Sequence, residues 1–407
     1  MATEEERVTV KASVLVGPRD LQVQERQLPS LGPNDVRIAI KSTGICGSDL
    51  HYYNHYRNGD ILVREPLTLG HESAGVVTAL GSKVARSRPD LKLGDAVVME
   101  VGEPCGGCEL CLEGRYNICR EMRFRSSAKA FPHAQGTLQE EIVIHEKYCE
   151  RVNPNLAQSG ALVEPLAVAL HAADRVALPL GNKKKPLTIL VLGAGVVGLL
   201  CAAKCRDLYD ALVVIADTNE DRTKWAVEHG FADHYIVVPM RPREVETVEA
   251  KLSFANEVAG SIKGTQWPDD VRTPAAWKEV KPESVGEVDS TFECTGAESC
   301  LQTAIYATKP GGKVVLIGMG NPVQTLPISA AALREVDLVG SFRYANNYKK
   351  AASELAGLGS SPGVSINFEP LITHRFKGIE SIAEAFAMAA RLKDDDGKMV
   401  LKVVIDF

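Results

Sequence analysis

The sequence contains no run of about 18 apolar residues, so no segment of it can cross a bilayer as a helix. It has no dense Lys/Arg tract either. The longest basic run is Lys183-Lys184-Lys185 beside Pro186, which reads as a solvated loop. With 46 Lys+Arg against 52 Asp+Glu the net charge is −6, which makes nucleic acid a poor partner. The first residues, Met1-Ala2-Thr3-Glu4-Glu5-Glu6, are acidic and lack the apolar core of a signal peptide. The last, Val404-Ile405-Asp406-Phe407, match no lipidation or retention signal. Internal repeats and low-complexity segments are absent. The expectation is a cytoplasmic chain with neither membrane nor nucleic acid as a partner. What remains is an ordinary globular composition: 407 residues, 45% hydrophobic and 24% charged, enough for two or three domains. Ten cysteines are present. In a reducing compartment, clustered thiols point to metal rather than to disulfides.

The first third is β-rich. Val36, Ile38 and Ile40 alternate with Arg37, Ala39 and Lys41, the period of a half-buried strand. Val8-Thr9-Val10 and Gly75-Val76-Val77 look similar, and no long helical period occurs before about Glu164. After Pro186 the pattern changes. Leu187–Leu192 is a continuous apolar run, Val196–Tyr209 is helical, Leu212–Asp217 is a second strand and Asn219–His229 a second helix. That alternation belongs to a doubly wound parallel sheet. Ser290–Glu293 and Lys313–Ile317 supply later strands. The stretch 251–287, with Trp267, Pro268, Pro274, Trp277 and Pro282, is long for a connection and reads as an insertion. Beyond Gly340 come Ser341-Phe342-Arg343-Tyr344, two helical stretches and a final strand, Met399–Val404.

Gly193-Ala194-Gly195-Val196-Val197-Gly198 fits G-x-G-x-x-G, follows a strand and opens a helix. The first glycine permits a tight turn, the second lets a pyrophosphate approach the backbone, and the third allows close helix–strand packing at a helix N-terminus that favours anions. Asp217, 19 residues after Gly198, ends the next strand, where an acid binds both ribose hydroxyls and repels a 2′-phosphate. Arg222 is placed for the adenine side or for a phosphate. These residues predict NAD binding. The rival reading is a glycine-rich turn beside a surface aspartate.

Cys105, Cys108, Cys111 and Cys119 fall within 15 residues, interspersed with Gly106, Gly107 and Gly114. Four thiolates closing a tetrahedron leave no open position, which predicts a structural zinc. An iron–sulfur cluster is the competing reading, and nothing else in the chain suggests electron transfer. Cys46-Gly47-Ser48-Asp49-Leu50-His51 and Gly70-His71-Glu72 offer a second donor set. One thiolate and one carboxylate balance the +2 charge, and with the imidazole they leave a fourth position open, the arrangement of a catalytic zinc. Taken alone, His71 reads as a core histidine and Cys46 as a small buried residue. Beside the other two signals they read as ligands.

Together, Gly44–His51, Gly70–Gly75 and the four-cysteine lobe resemble the zinc-dependent medium-chain dehydrogenases. Tyr52-Tyr53, Val163–His171 and Ser341–Tyr344 are similar to the sorbitol (polyol) dehydrogenase branch. The likeness spans about Val8 to Val404, apart from the insertion. It implies an α/β protein with a GroES-like catalytic domain formed by 1–165 and 341–407, a Rossmann domain at 166–340, and the active site in the cleft between them. It implies Cys46, His71 and Glu72 as ligands of a catalytic zinc, with Glu164 just outside them. Alcohol dehydrogenases carry a cysteine where this chain has Glu164, which favours the polyol branch. Animal sorbitol dehydrogenases tend to lack the four-cysteine site, so the chain looks more like fungal or microbial polyol enzymes. The resemblance also implies cofactor contacts from Val197, Gly318, Phe342 and Arg343, a substrate pocket drawing on Tyr53, Phe124, Glu164, Arg343 and Tyr344, and a homotetramer. The reaction so implied is reversible hydride transfer between NAD and a polyol/ketose pair, the zinc lowering the pKa of the substrate hydroxyl. Ser48 accepts the hydroxyl proton and His51 relays it. A simple alcohol or threonine as substrate, and a structural or regulatory nucleotide-binding protein, are the rival functions.

Overall fold

The computed structural model describes residues 8–178, 186–244, 246–274, 283–357 and 366–407. The Lys183–Lys185 run, the acidic start of the chain and the part of the 251–287 stretch holding Trp277 and Pro282 lie outside the described residues. The chain divides into two compact units. One is drawn from Met1–Ala167, Ala345–Gly359 and Asn367–Phe407, the other from Val168–Tyr344 and Ser360–Ile366.

The first unit is built on a seven-stranded sheet centred on Asp35–Gly44. Val36, Ile38 and Ile40 are at most 1% exposed, so the alternation seen in sequence is the buried face of this strand. Glu72–Leu80 pairs antiparallel on one side of it, with Gly44 opposite Glu72. Lys402–Asp406, from the far end of the chain, pairs antiparallel on the other side, with Val404 opposite Gly44. Three strands thus bring Gly44, Glu72 and Lys402 to one spot, although Lys402 lies 330 residues beyond Glu72 in sequence. Ile372–Lys377, a strand the sequence pattern did not indicate, extends the sheet beyond Lys402–Asp406. The final strand starts three residues later than the apolar run suggested. A second core of Leu15, Tyr52, Leu67, Leu69, Leu138, Phe386 and Ile405 lies under this sheet.

The second unit is a six-stranded parallel sheet. Its spatial order is His234–Val237, Leu212–Asp217, Thr188–Leu192, Val288–Glu293, Thr308–Leu316, Asp337–Gly340. Numbered along the chain this is 3-2-1-4-5-6, the doubly wound order with its switch point between the first and fourth strands. Thr188–Leu192 is buried along its whole length, which is why it reads as an unbroken apolar run. Helices Val196–Tyr209 and Glu220–Glu228 follow their strands; Asn219 caps the second, its side chain accepting from Arg222 N at 3.1 Å.

The 251–287 stretch is only partly an insertion. Its first fourteen residues are the body of helix Val248–Gly264, an ordinary crossover element whose Ala255, Val258, Ala259 and Ile262 are buried in the sheet's core. The additional material begins at Thr265. It buries Trp267 and ties itself back through Arg272, which donates to Asp233 at 3.0 Å and also to Asp210 and to the carbonyl of Ala211.

Candidate active site and cofactor site

Cys46 is the N-cap of a nine-residue helix, Gly47–His55. Its backbone N–H donates to Asp49 Oδ2 at 3.1 Å, the capping-box arrangement, and this fixes the thiol at the helix start. The other Asp49 oxygen accepts from Ser126 Oγ at 2.7 Å and from Gly70 N at 3.3 Å, and lies 3.3 Å from His71 Nδ1. With Nδ1 turned to a carboxylate, Nε2 is the ring nitrogen left for a metal. Burial alone would raise the Asp49 carboxyl. The charge and hydrogen bond of His71, the Ser126 hydroxyl and the Cys46 amide outweigh it and hold the carboxyl below its ordinary range. For His71 burial works the other way, and Asp49 and Cys46 together push its pKa well above the usual value. Phe124 is buried and packs edge-on to the His71 ring at 5.7 Å.

Donor atoms of Cys46, His71 and Glu72 lie within 4.8 Å of one another. A sulfur, an imidazole nitrogen and a carboxylate oxygen make a set that zinc accepts. Glu72 also bonds to a cation that sequence reasoning missed. Lys402 Nζ donates to its two oxygens at 2.9 and 2.6 Å and to Ile45 O at 3.1 Å. Burial alone would lower the Lys402 pKa; Glu72 above all, then Cys46 and Glu164, raise it above the ordinary value. The charge count made from sequence, one thiolate and one carboxylate against +2, therefore gains a further positive charge. The only hint in sequence is a lysine one pleat from Val404 in an apolar terminal strand. Glu164 is buried in the first turn of helix Val163–Val176 and acts electrostatically on Lys402 and on the fully buried Tyr348.

Ser48 and His51 lie three residues apart on helix Gly47–His55 and so share a face. Desolvation and the charge of His55, whose ring centroid is 6.4 Å away, lower the His51 pKa. Tyr53 packs its ring on Phe386 at 5.0 Å, in the second core. Its neighbour Tyr52 is buried, and the Tyr52 hydroxyl accepts from Ala128 N at 3.3 Å in the loop that carries Ser126. Arg125 holds that loop by donating to the carbonyls of Gln135 and Val143 at 3.3 and 2.7 Å.

Cys105, Cys108, Cys111 and Cys119 converge. Sulfur–sulfur separations are 3.5 Å for 108–111 and 3.9 Å for both 105–111 and 108–119. A tetrahedron with ~2.3 Å zinc–sulfur bonds has edges of about 3.8 Å, whereas a disulfide requires ~2.0 Å. Backbone N–H groups of Gly107 and Cys108 hold the Cys105 thiol well below its ordinary pKa, while burial and the neighbouring thiols push Cys111 up.

In the second unit Gly193 has φ +102°, reserved for glycine. A Cβ on Gly198 would lie 1.9 Å from Gly193 O, so helix and loop touch there. A Cβ on Gly195 would meet nothing within 4 Å, leaving open space above the helix start. Asp217 accepts from Ala194 N at 2.7 Å and Asn219 N at 2.9 Å, which anchors the glycine loop to the second strand. Arg222 sits close enough to feel Asp217, although burial dominates and lowers its pKa. A 210 Å³ cavity beside Asp217 is lined by Thr218, Val238, Met240, Thr295 and Cys300 among others, and suits a flat, mostly apolar ring. Gly318 packs on the 295–296 turn, where a Cβ would meet Gly296 N at 2.1 Å. Arg343 adopts φ +51° and its guanidinium stacks on Phe342 at 4.7 Å, while Tyr344 is buried.

Two family models match the chain. Residues 32–154 match the alcohol dehydrogenase GroES-like domain and 196–357 match the zinc-binding dehydrogenase domain. Sorbitol dehydrogenase of Mus musculus is 38% identical over 93% of this chain and 92% of its own. Sorbitol dehydrogenase of Arabidopsis thaliana is 35% identical over 97% and 94%. The crystal structure of L-idonate 5-dehydrogenase from Escherichia coli superposes with TM-score 0.76 at 27% identity, covering 99% of both chains. The chain belongs to the zinc-dependent medium-chain dehydrogenases, in their sorbitol dehydrogenase branch. It is accordingly an oxidoreductase with zinc and a nicotinamide nucleotide as its cofactors. Among the described residues no helix is long and apolar enough to cross a membrane.

Proposed function

We propose that this chain catalyses the reversible, NAD-linked oxidation of a polyol at a secondary hydroxyl to the ketose, using one zinc at Cys46, His71 and Glu72 and a second, structural zinc at the four-cysteine lobe. The observation that carries this reading is the convergence of Cys46, His71 and Glu72, with buried Glu164 acting on the same cluster. When bound, zinc supplies a Lewis acid for the hydroxyl and NAD a two-electron acceptor. Asp49 fixes the His71 ring through Nδ1 and is itself fixed by Ser126. Ser48 accepts the hydroxyl proton. His51, on the same helix face and biased to the neutral form, passes it toward solvent. Glu164 is an acceptor and Tyr53 a donor in the first unit, Arg343 and Tyr344 are donors in the second, and these are the side-chain types a substrate with several hydroxyls calls for. Gly193, Gly195, Val197, Gly198, Gly318 and Phe342 form the rest of the nucleotide site. Asp217 sets the preference for NAD, since a 2′-phosphate beside it would meet like charge. Family resemblance further supports a homotetramer.

The test is the product. Zinc-loaded protein given xylitol or sorbitol with NAD is expected to form reduced cofactor and ketose in equal amounts. Arg343→Leu is expected to lower polyol turnover by more than it weakens NAD binding. An Arg343→Leu loss confined to NAD affinity would move that residue from the substrate to the cofactor.

A further inference from the structure

The proposed reaction gives no role to Lys402, yet the residue is 4% exposed and its ammonium contacts Glu72, a member of the donor cluster. All three of its donor protons are used, two on Glu72 and one on Ile45 O. The carboxylate is also confined by the neighbouring strand. A Cβ at Gly44 would lie 2.3 Å from Glu72 Oε2, so the strand gives up a side chain where the carboxylate sits. A Glu72 oxygen is also within 4.8 Å of the donor atoms of Cys46 and His71. One carboxylate therefore faces two cations: the ammonium, and any metal held by the thiolate and imidazole.

We infer that Lys402 is a positioning residue that competes with zinc for Glu72 and thereby makes Glu72 a weak, displaceable ligand. Hydrogen bonds to an ammonium draw charge off the carboxylate and fix its direction. A metal at Cys46 and His71 then keeps more of its positive charge than a free carboxylate would leave it. The register of two strands enforces this arrangement, because Gly44 pairs with Glu72 on one side and with Val404, two residues past Lys402, on the other. The inference rests on the zinc assignment made above and deepens it. A lysine serving only to neutralise a buried glutamate would forecast the opposite, since its loss would misplace Glu72 and loosen the metal.

Lys402→Met keeps the stem and removes the charge. Release of zinc from this variant to excess chelator is expected to slow about ten-fold, the size of effect one nearby charge has in a partly screened site. The Co(II)-substituted variant is expected to show altered visible ligand-field bands as Glu72 binds more firmly. Lys402→Arg, which keeps the charge, is expected to release zinc at the unmutated rate. Unchanged or faster release from Lys402→Met, with unchanged cobalt bands, overturns the inference. If Lys402→Met does not fold, a second pair decides. Glu72→Gln leaves the ammonium near the metal without its compensating carboxylate charge and is expected to lose zinc about ten-fold faster than Glu72→Gln/Lys402→Met. Equal rates for that pair overturn the inference. Unmutated chain with zinc at Cys46 and unmoved variants overturns only this inference, whereas unmutated chain with no zinc at Cys46 overturns the function proposed above as well.

Discussion

Gly195→Ala separates what the fold needs from what the cofactor needs. Gly195 is the N-cap of helix Val196–Tyr209, with φ −79° and ψ 177°, a conformation alanine adopts freely. Its missing side chain faces no protein atom within 4 Å. The substitution therefore creates no clash in the chain alone, and fewer unfolded conformations favour it by about 0.4–1 kcal/mol. The open space is where a pyrophosphate must approach the helix N-terminus. A methyl group there lengthens or breaks hydrogen bonds to a charged group, each worth about 1.5–3 kcal/mol. The dissociation constant for NADH should then rise about ten- to hundred-fold. Titration of NADH by its fluorescence on binding, beside a thermal melt of the free protein, reads both quantities. The expected pair is an unchanged or slightly raised Tm with much weaker binding. Gly198→Ala gives the contrast: its Cβ would stand 1.9 Å from Gly193 O, so it is expected to lower Tm itself. Unchanged NADH affinity in Gly195→Ala would refute the placement of the pyrophosphate.

Asp217→Ser is expected to narrow the preference for NAD over NADP, read as the ratio of kcat/KM values; an unmutated chain using both equally would refute the role given to Asp217. Cys46→Ser is expected to leave a folded chain with one zinc and no turnover, while Cys108→Ser lowers stability first; elemental analysis with activity separates the two, and full activity with one metal or none contradicts the assignment. Burial raises the Glu100 carboxyl to about 7, with a hydrogen bond to Tyr116 opposing and Glu150 adding. Between about 4.5 and 7 the folded chain keeps a proton that the unfolded chain releases, so this contribution is full below that window and is lost as pH rises through it. Glu100→Gln is therefore expected to stabilise the protein by about 2–3 kcal/mol at pH 8 and hardly at all at pH 4.5; equal gains in melts at both pH values would refute it.

Legibility followed burial pattern. Val196–Tyr209 and Leu212–Asp217 have the bounds read from sequence, because strands covered on both faces give unbroken apolar runs and the helices between them begin at glycine or asparagine caps. Helix Gly47–His55 was invisible to periodicity. It buries only Asp49 and Tyr52 and owes its start to the Cys46–Asp49 cap. Strand Ile372–Lys377 has no fully buried face to reveal it. Helix Val248–Gly264 is hard to separate in sequence from the stretch after it, because prolines and tryptophans crowd the residues downstream. In the site, ligand types and spacing marked Cys46, His71, Glu72 and the four-cysteine lobe. Their supports were not marked. Ser126 lies 77 residues from Asp49 and Lys402 lies 330 from Glu72, so the first contact arises from a loop packing on a helix and the second from strand register. Asp49 did carry a signal, an acid three residues after a cap.

The measurement closest to the central claim is a comparison of kcat/KM for xylitol and sorbitol against 2-propanol and ethanol, with NAD, on zinc-loaded protein. A pocket built to bond several hydroxyls leaves its polar groups unpaired with a simple alcohol, and so discriminates by orders of magnitude. The account predicts that the polyols win by at least about a hundred-fold. Equal efficiency for 2-propanol and the polyols would contradict it and make the chain a zinc alcohol dehydrogenase.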